Sequence, residues 1–397
     1  MPARFIQIHF LTAYPGALLN RDDAGFAKRL PFGGATRTRI SSQCLKRHWR
    51  TFEGAGSLDE LNVPPTYRSR VTFERHIVAE LVKEGLPEMS VRAVAEALKS
   101  AVFGKSEKAK AKGGEVGGPV ETNQVTVLGE PEVNYLRNVA RTVLAELTDL
   151  KGAEATVKSV LERPGKENLK TLFQASGLGA ALFGRMVTSD LLSRGDAAVH
   201  VAHAFTVHKE ESETDYFSAV DDLVKSDGEL GSGHIGNTEL TSGLYYGYVV
   251  VDVALLVSNL TGKPQKEWVE ADRSLAGQVV EHLVRLIATV SPGAKLGSTA
   301  PYAYAQALLV EAGDAQPRTL ANAFFKPVRP ADGDMLAGTY KALAAHVHEL
   351  DEIYGPGGVR RMVGLGMDAP LRDRLGVEPG GTLAQLASWA GERVAGA

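Results

Sequence analysis

The sequence predicts an α+β fold. Three observations carry that reading. Runs with strand character recur along the chain, from Arg4–Phe10 to Gly243–Val257. Segments with apolar residues three and four apart lie between them. One long block, from about Leu58 to Leu182, is almost wholly of the second kind. The 397 residues supply roughly two to three domains of chain, or one core with large insertions. With 44% hydrophobic and 23% charged residues, the composition is that of a globular protein.

The elements follow in order. Arg4–Phe10 alternates as a strand, with Ile6, Ile8 and Phe10 on a well-filled apolar face. A loop follows from Thr12 to Gly34, punctuated by Pro15, Gly16, Gly25, Pro31 and the Gly33–Gly34 pair. Ala35–Ile40 reads as a short strand with Arg37 and Arg39 on one side. Ser41 and Ser42 can N-cap a helix over Gln43–Phe52. At 100° per residue, Leu45, Trp49 and Phe52 fall on one stripe, opposite Gln43, Lys46, Arg47 and Arg50.

The helical block comprises Glu74–Gly85, Ser90–Phe103, Pro131–Leu150 and Thr156–Ala175. Inside it, the Lys- and Gly-rich segment Gly104–Glu130 reads as a mobile loop. Strand character returns at Val199–Val207, followed by an acidic stretch from Glu210 to Glu229. A Gly-rich turn, Gly231–Gly236, precedes the strand Gly243–Val257. Leu275–Val290, Leu336–Leu350 and Thr382–Val394 have helical spacing; Tyr302–Val310 and Ala321–Val328 read as strands. The most apolar stretch, Tyr248–Val257, contains Asp252 and is half the length of a membrane span.

Charge is unevenly placed. The total is 44 basic against 47 acidic residues, a net of -3. Residues 21 to 50 hold Arg21, Lys28, Arg29, Arg37, Arg39, Lys46, Arg47 and Arg50 against only Asp22 and Asp23. That segment carries +6 and leaves -9 for the remainder. Such a concentrated basic site suits a polyanion, although a solvated charged face has the same composition. Arg37 and Arg39 lead into the hydroxyls of Ser41 and Ser42 and the amides of a helix start, which together can hold an anion. Lys46, Arg47 and Arg50 extend the positive face. The loop Ser291-Pro292-Gly293-Ala294-Lys295 adds a weaker phosphate signal.

Other chemistry finds less support. His200, His203 and His208 lack a metal-binding pattern and read as packed or hydrogen-bonded histidines. Cys44, the single cysteine, excludes an intramolecular disulfide and points to a reducing, cytoplasmic setting. Its basic surroundings favour the thiolate, but no catalytic partner is evident beyond His48. The first ten residues lack a signal peptide's long apolar segment. Gly231–Gly236 matches GxGxxG by letter yet precedes a strand, the reverse of a dinucleotide site. Asp22–Asp23 could bind a metal or cut a nucleic acid; among arginines such a pair more often orders a loop by salt bridging.

Asn20-Arg21-Asp22-Asp23, Phe32-Gly33-Gly34 and Arg39-Ile40-Ser41-Ser42-Gln43 with Lys46-Arg47 closely resemble the CasC family. That family is the repeated backbone subunit of Cascade, the type I-E CRISPR surveillance complex. The resemblance continues through Phe183-Gly184-Arg185-Met186, Ala202-His203-Ala204, Tyr216-Phe217, Pro292-Gly293-Ala294-Lys295 and Ala321-Asn322-Ala323-Phe324. It implies an RRM-like (ferredoxin-like) palm, a helical finger insertion and a β-hairpin thumb. On that basis 1–57 is the first part of the palm, 58–182 the finger, 183–242 the thumb and its flanks, and 243–397 the rest of the palm.

The resemblance also implies a non-enzymatic scaffold without cofactor or metal. Its partners are CRISPR RNA, further copies of itself in a filament, other Cascade subunits and, through the guide, target DNA. No membrane partner is expected. The family's RNA-backbone positions fall on Arg21, Lys28, Ser41, Gln43, Lys46 and Arg50; Arg37, Arg39, Ser42, Arg47 and Lys295 complete the expected RNA-binding set. Met186 and Phe217 fall where the family wedges beside a displaced base. The competing expectation is a metal-dependent endoribonuclease using Asp22 and Asp23, as in type III backbone subunits.

Overall fold

The computed structural model describes residues 2–104, 118–162, 177–185, 195–220, 232–294, 297–331 and 333–396, with backbone alone at 218–220 and 232–235. Its fold is α+β with mostly antiparallel strands. The chain forms two compact bodies: residues 1–60, 200–253 and 273–397 make one, and residues 61–199 and 254–272 the other. No helix among the described residues is long and apolar enough to cross a membrane.

The first body holds β1 (Phe5–Ala17), β2 (Arg29–Phe32) and β3 (Ala35–Ile40). In the second are β4 (Thr66–Ser69) and β5 (Thr126–Gly129), and β6 (Val199–Val201) follows where the chain passes back. The first body then takes β7 (Ala204–Thr206), β8 (Glu211–Val220), β9 (Ser232–Asp252), β10 (Ala307–Gly313), β11 (Val359–Gly364) and β12 (Glu378–Pro379). Its sheet runs β12-β11-β10-β1-β9-β7-β3-β2, and β8 pairs with the first half of β9.

β1 is central because both its edges find partners. Phe5 to Leu11 pair with Gly313 to Ala307 of β10, and Phe5 to Tyr14 with Asp252 to Gly243 of β9. Both faces of β1 are buried. Ile6, Ile8 and Phe10 fill one, as expected; Gln7 and His9 are buried on the other. There His9 meets Tyr246 at 2.9 Å and Glu311 at 3.0 Å, so the polar groups satisfy one another. Helix Met335–Tyr354 covers this region through Tyr340, Leu343 and Val347. Helices Ser274–Thr289 and Leu383–Ala395 pack on each other. Their approach is close: a Cβ at Gly277 would sit 2.9 Å from the Gly391 carbonyl.

The second body is built around helices Glu88–Phe103, Glu130–Glu146 and Ala153–Glu162 and the β4–β5 pair. Phe73, Leu81, Leu98, Leu128, Leu136 and Val143 are among its core residues. The predicted helix at Glu74 opens with a π-turn, Glu74–Val78.

Several expectations are corrected. Ala321–Val328 is not a strand: Ala321–Phe324 is a 3-10 turn, with the carbonyls of Phe324 and Phe325 facing a buried arginine instead of a ladder. Strand β10 begins at Ala307 rather than Tyr302, because Ala303, Ala305 and Gln306 bond Ser291, Ala288 and Leu11 outside that ladder. The Gly243–Val257 run divides at Asp252, and Val253–Thr261 is helical, a choice that apolar content alone leaves open. Within the expected loop Gly104–Glu130, Thr126–Gly129 is β5; residues 105–117 lie outside the described set.

Candidate nucleic-acid interface

The basic segment folds around one corner of the first body's sheet. The helix α1 (Ser42–Arg50) starts where the sequence places it, with Ser41 Oγ accepting the Cys44 N–H at 3.3 Å. Leu45 and Trp49 are buried. Gln43 and Arg47 are exposed, and Lys46 and Arg50 are half-buried. The helix thus divides into an apolar and a basic face at the predicted angle.

Hydrogen bonds stitch the loop before β2 onto this corner. Ser41 N–H donates to Asn20 Oδ1 at 2.9 Å, Lys28 N–H to the Asn20 carbonyl at 2.9 Å, and Arg39 N–H to the Lys28 carbonyl at 2.8 Å. Arg21 and Ala27 form an antiparallel bridge. These bonds bring Arg21, Lys28, Arg39 and α1 together. A hollow of about 400 Å³ opens between Asp22, Asp23, Lys28, Arg29 and Arg39.

Asp22 orders the loop through backbone, since its Oδ1 accepts the N–H groups of Ala24 at 2.9 Å and Phe26 at 3.0 Å. That is an Asx-type turn, not the salt bridging expected of an acid among arginines. Among the described residues, no three His, Cys, Asp or Glu side chains gather as a metal site.

Two basic residues are committed inside the fold. Arg37 is withdrawn from the expected anion site: it is fully buried, and its guanidinium donates to the carbonyls of Thr206 at 2.8 Å and Phe324 at 2.9 Å. Strand alternation placed it beside Arg39 correctly, but the turn at Ala321–Phe324 covers it. Arg29 pairs with Glu210 and Glu239. Glu210 of the acidic stretch is therefore matched within its own chain.

Ser41 and Ser42 are buried, so Ser41 serves the helix start through its hydroxyl. His48 Nδ1–H donates to the Cys44 carbonyl at 2.8 Å, and its Nε2 accepts the Gly293 N–H at 3.3 Å. This bond seats the loop of Pro292, Gly293 and Ala294 against α1; Lys295 itself lies outside the described residues. Burial pushes the Cys44 thiol up to about 11, against the opposing charges of Arg47 and Lys28. The basic setting therefore does not make it a nucleophile.

Of the three histidines, His208 is buried and its Nε2 accepts the Leu244 N–H at 3.1 Å. His203 is exposed and bonded to Arg39, and His200 is exposed. Phe217 stands exposed on β8 opposite Gly236 of β9. A Cβ at Gly236 would come within 2.5 Å of its ring, so only glycine leaves the ring that place. Met186 lies outside the described residues. Sequence reasoning missed the bridging role of His48 and the exposure of Tyr302 and Tyr304, 80% and 73% accessible on the arm returning from the Gly293 loop. The strand assigned to them hid it.

The model of the CT1975-like protein family matches residues 6–389. The fold is similar to a chain of a CRISPR RNA-guided surveillance complex in a pre-nicking state, with 25% identity and a TM-score of 0.75 over 97% of this chain and 99% of that one. A second CRISPR RNA-guided surveillance complex contains a chain with the same fold, at 23% identity and a TM-score of 0.67 over 97% and 99%. No curated protein sequence matches the chain.

Proposed function

Because the chain belongs to the CT1975-like protein family, we propose that it is the guide-RNA-binding backbone subunit of a Cascade-type CRISPR surveillance complex. Several copies bind along one CRISPR RNA in the cytoplasm, contact one another and other Cascade subunits, and hold the guide for pairing with target DNA. The subunit itself catalyses no reaction. The first body's sheet serves as an RRM-like palm, the helical segment after it as finger and the β8–β9 hairpin as thumb.

The observation that carries this reading is the convergence of Lys28, Arg39 and the outer face of α1 on one sheet corner. A scaffold needs phosphate donors more than base-edge chemistry, because base pairing does the sequence reading. Arginine forks and lysine point charges suit phosphate. The use of the Asp22 carboxylate by two backbone amides supports a structural role there over a catalytic one. Phe217 is the wedge that parts stacked bases at regular intervals along the guide; such unstacking costs a few kcal/mol per step.

The test is stoichiometry on guide-length RNA, followed against salt. Several copies per RNA are expected, with affinity falling steeply as salt rises. One copy per RNA, or binding indifferent to salt, overturns the scaffold. Cleavage of labelled target RNA with Mg²⁺ that is lost in Asp22→Ala would favour the endoribonuclease instead.

A further inference from the structure

We propose that His203 is a neutral hydrogen-bond donor to a phosphate oxygen of the guide backbone, acting through Nε2–H beside Arg39. The inference rests on the RNA-binding reading above and deepens it by adding a residue that carries no charge.

Three observations converge on it. His203, an exposed residue, lies in the two-residue break between β6 and β7. The break is held to the sheet by the Ala202 N–H, which donates to the Tyr248 carbonyl at 2.9 Å. Arg39 Nη1 stands 3.1 Å from His203 Nδ1. A guanidinium has no acceptor, so Nδ1 must accept, and the neutral ring carries its proton on Nε2.

Arg39 is itself fixed, since its Nε donates to the Arg29 carbonyl at 3.1 Å. The pair therefore presents an arginine edge and an imidazole N–H with little freedom to lose on binding. The charged groups around the ring come from three elements: Arg39 on β3, Lys28 from the preceding loop and Lys46 on α1. Partial burial, then these three positive charges, hold the imidazole below its ordinary range, which keeps Nδ1 free to accept from Arg39. A ligand reaching all of them must be anionic. A protein segment would need a carboxylate at this spot, whereas an RNA strand offers phosphate at every step.

The experiment uses the full chain and guide-length RNA, with affinity measured by fluorescence anisotropy across a salt series. His203→Ala is expected to bind about tenfold more weakly, the effect of one hydrogen bond to a charged acceptor. Its salt slope should match the wild type, because no charge has been removed. Arg39→Ala should lower affinity and also reduce the slope by about 0.7, the value for one phosphate contact on a single strand. His203→Gln retains an acceptor toward Arg39 and an outward donor, so it should stay within about threefold of wild type.

Unchanged affinity in His203→Ala overturns the proposal. So does a slope reduced as far as in Arg39→Ala, which would mean that His203 merely aims Arg39. A tenfold loss in His203→Gln as well removes the donor assignment. Wild-type protein that does not load on RNA overturns both this inference and the scaffold reading; wild-type loading with an unaffected His203→Ala overturns this one alone.

Discussion

Arg185 and Glu132 form an ion pair in which neither side chain is exposed: Nη1 of the guanidinium lies 2.8 Å and 2.7 Å from the two carboxylate oxygens. The same carboxylate accepts the Gly129 N–H at 2.8 Å, at the start of helix Glu130–Glu146. One buried group thus joins a helix start to a distant segment of the second body. Removing one partner leaves the other charge buried. Glu132→Ala should destabilise the second body by about 3–5 kcal/mol, whereas Glu132→Leu with Arg185→Met should recover much of that loss. Hydrogen exchange along Glu130–Glu146 measures both.

Arg37 and the α1 basics should separate stability from binding. Arg37→Met strands the carbonyls of Thr206 and Phe324 and should cost about 2–4 kcal/mol in thermal or urea unfolding. Lys46→Ala or Arg50→Ala, at half-buried positions of α1, should cost about 1 kcal/mol, well below the loss expected for Arg37→Met. Each should instead lower the salt slope of RNA binding by about 0.7. A stable Arg37→Met with a reduced slope would return Arg37 to the RNA surface.

Neighbouring glycines give an internal control. Gly33 has φ +60°, and a Cβ there would lie 1.4 Å from the Phe325 carbonyl oxygen. Gly33→Ala must push that backbone away, and with it the Phe32–Phe325 ring contact at 5.5 Å. Gly34 has φ +76° but open space around it. Gly34→Ala should cost about 1 kcal/mol for its backbone conformation alone, and Gly33→Ala at least twice that. Equal losses in urea unfolding would remove the steric argument.

Acid should loosen the first body through Glu311. Burial opposes its charge, but the hydrogen bond to His9 and the guanidinium of Arg360 hold the carboxyl at about 2, below its ordinary 4.5. A depressed carboxyl stabilises fully above its unfolded pKa and loses that contribution as pH falls through the folded one. Melting temperature should therefore drop between about pH 4.5 and 2. Asp351 shifts downward too: burial opposes its charge, and bonds from Arg360 and Arg318 prevail. Glu311→Gln should lower stability at neutral pH and flatten the acid limb. An unchanged acid limb would show that the stabilisation comes from elsewhere.

Much of the fold was legible where a period met a boundary residue. Ser41 and the Leu45–Trp49 stripe define α1 from sequence, and Thr382 caps the last helix by accepting the Gln385 N–H. Arg37 shows why the site was only partly so. Alternation gives the side of a strand, but whether that side meets water depends on Phe324, nearly three hundred residues away. The polar pair Gln7 and His9 marks β1 as one-sided by letter, yet Glu311 and Arg360 allow both faces to be buried. Arg29 counts toward the basic segment until Glu239 is found beside it. Long-range partners decide such cases, and local composition carries no record of them.

The length of β9 has a mechanical consequence. From Ser232 to Asp252 it is 21 residues without a break, up to about 70 Å if fully extended. Gly243 to Asp252 are rooted on β1, while the residues before them pair with β8. The hairpin therefore shares its long strand with the sheet, and Thr241 on Ala17 and the Glu239 carboxylate on the Ala27 N–H anchor that strand before Gly243. A load applied near Phe217 would pass along β9 into β1 at the centre of the body.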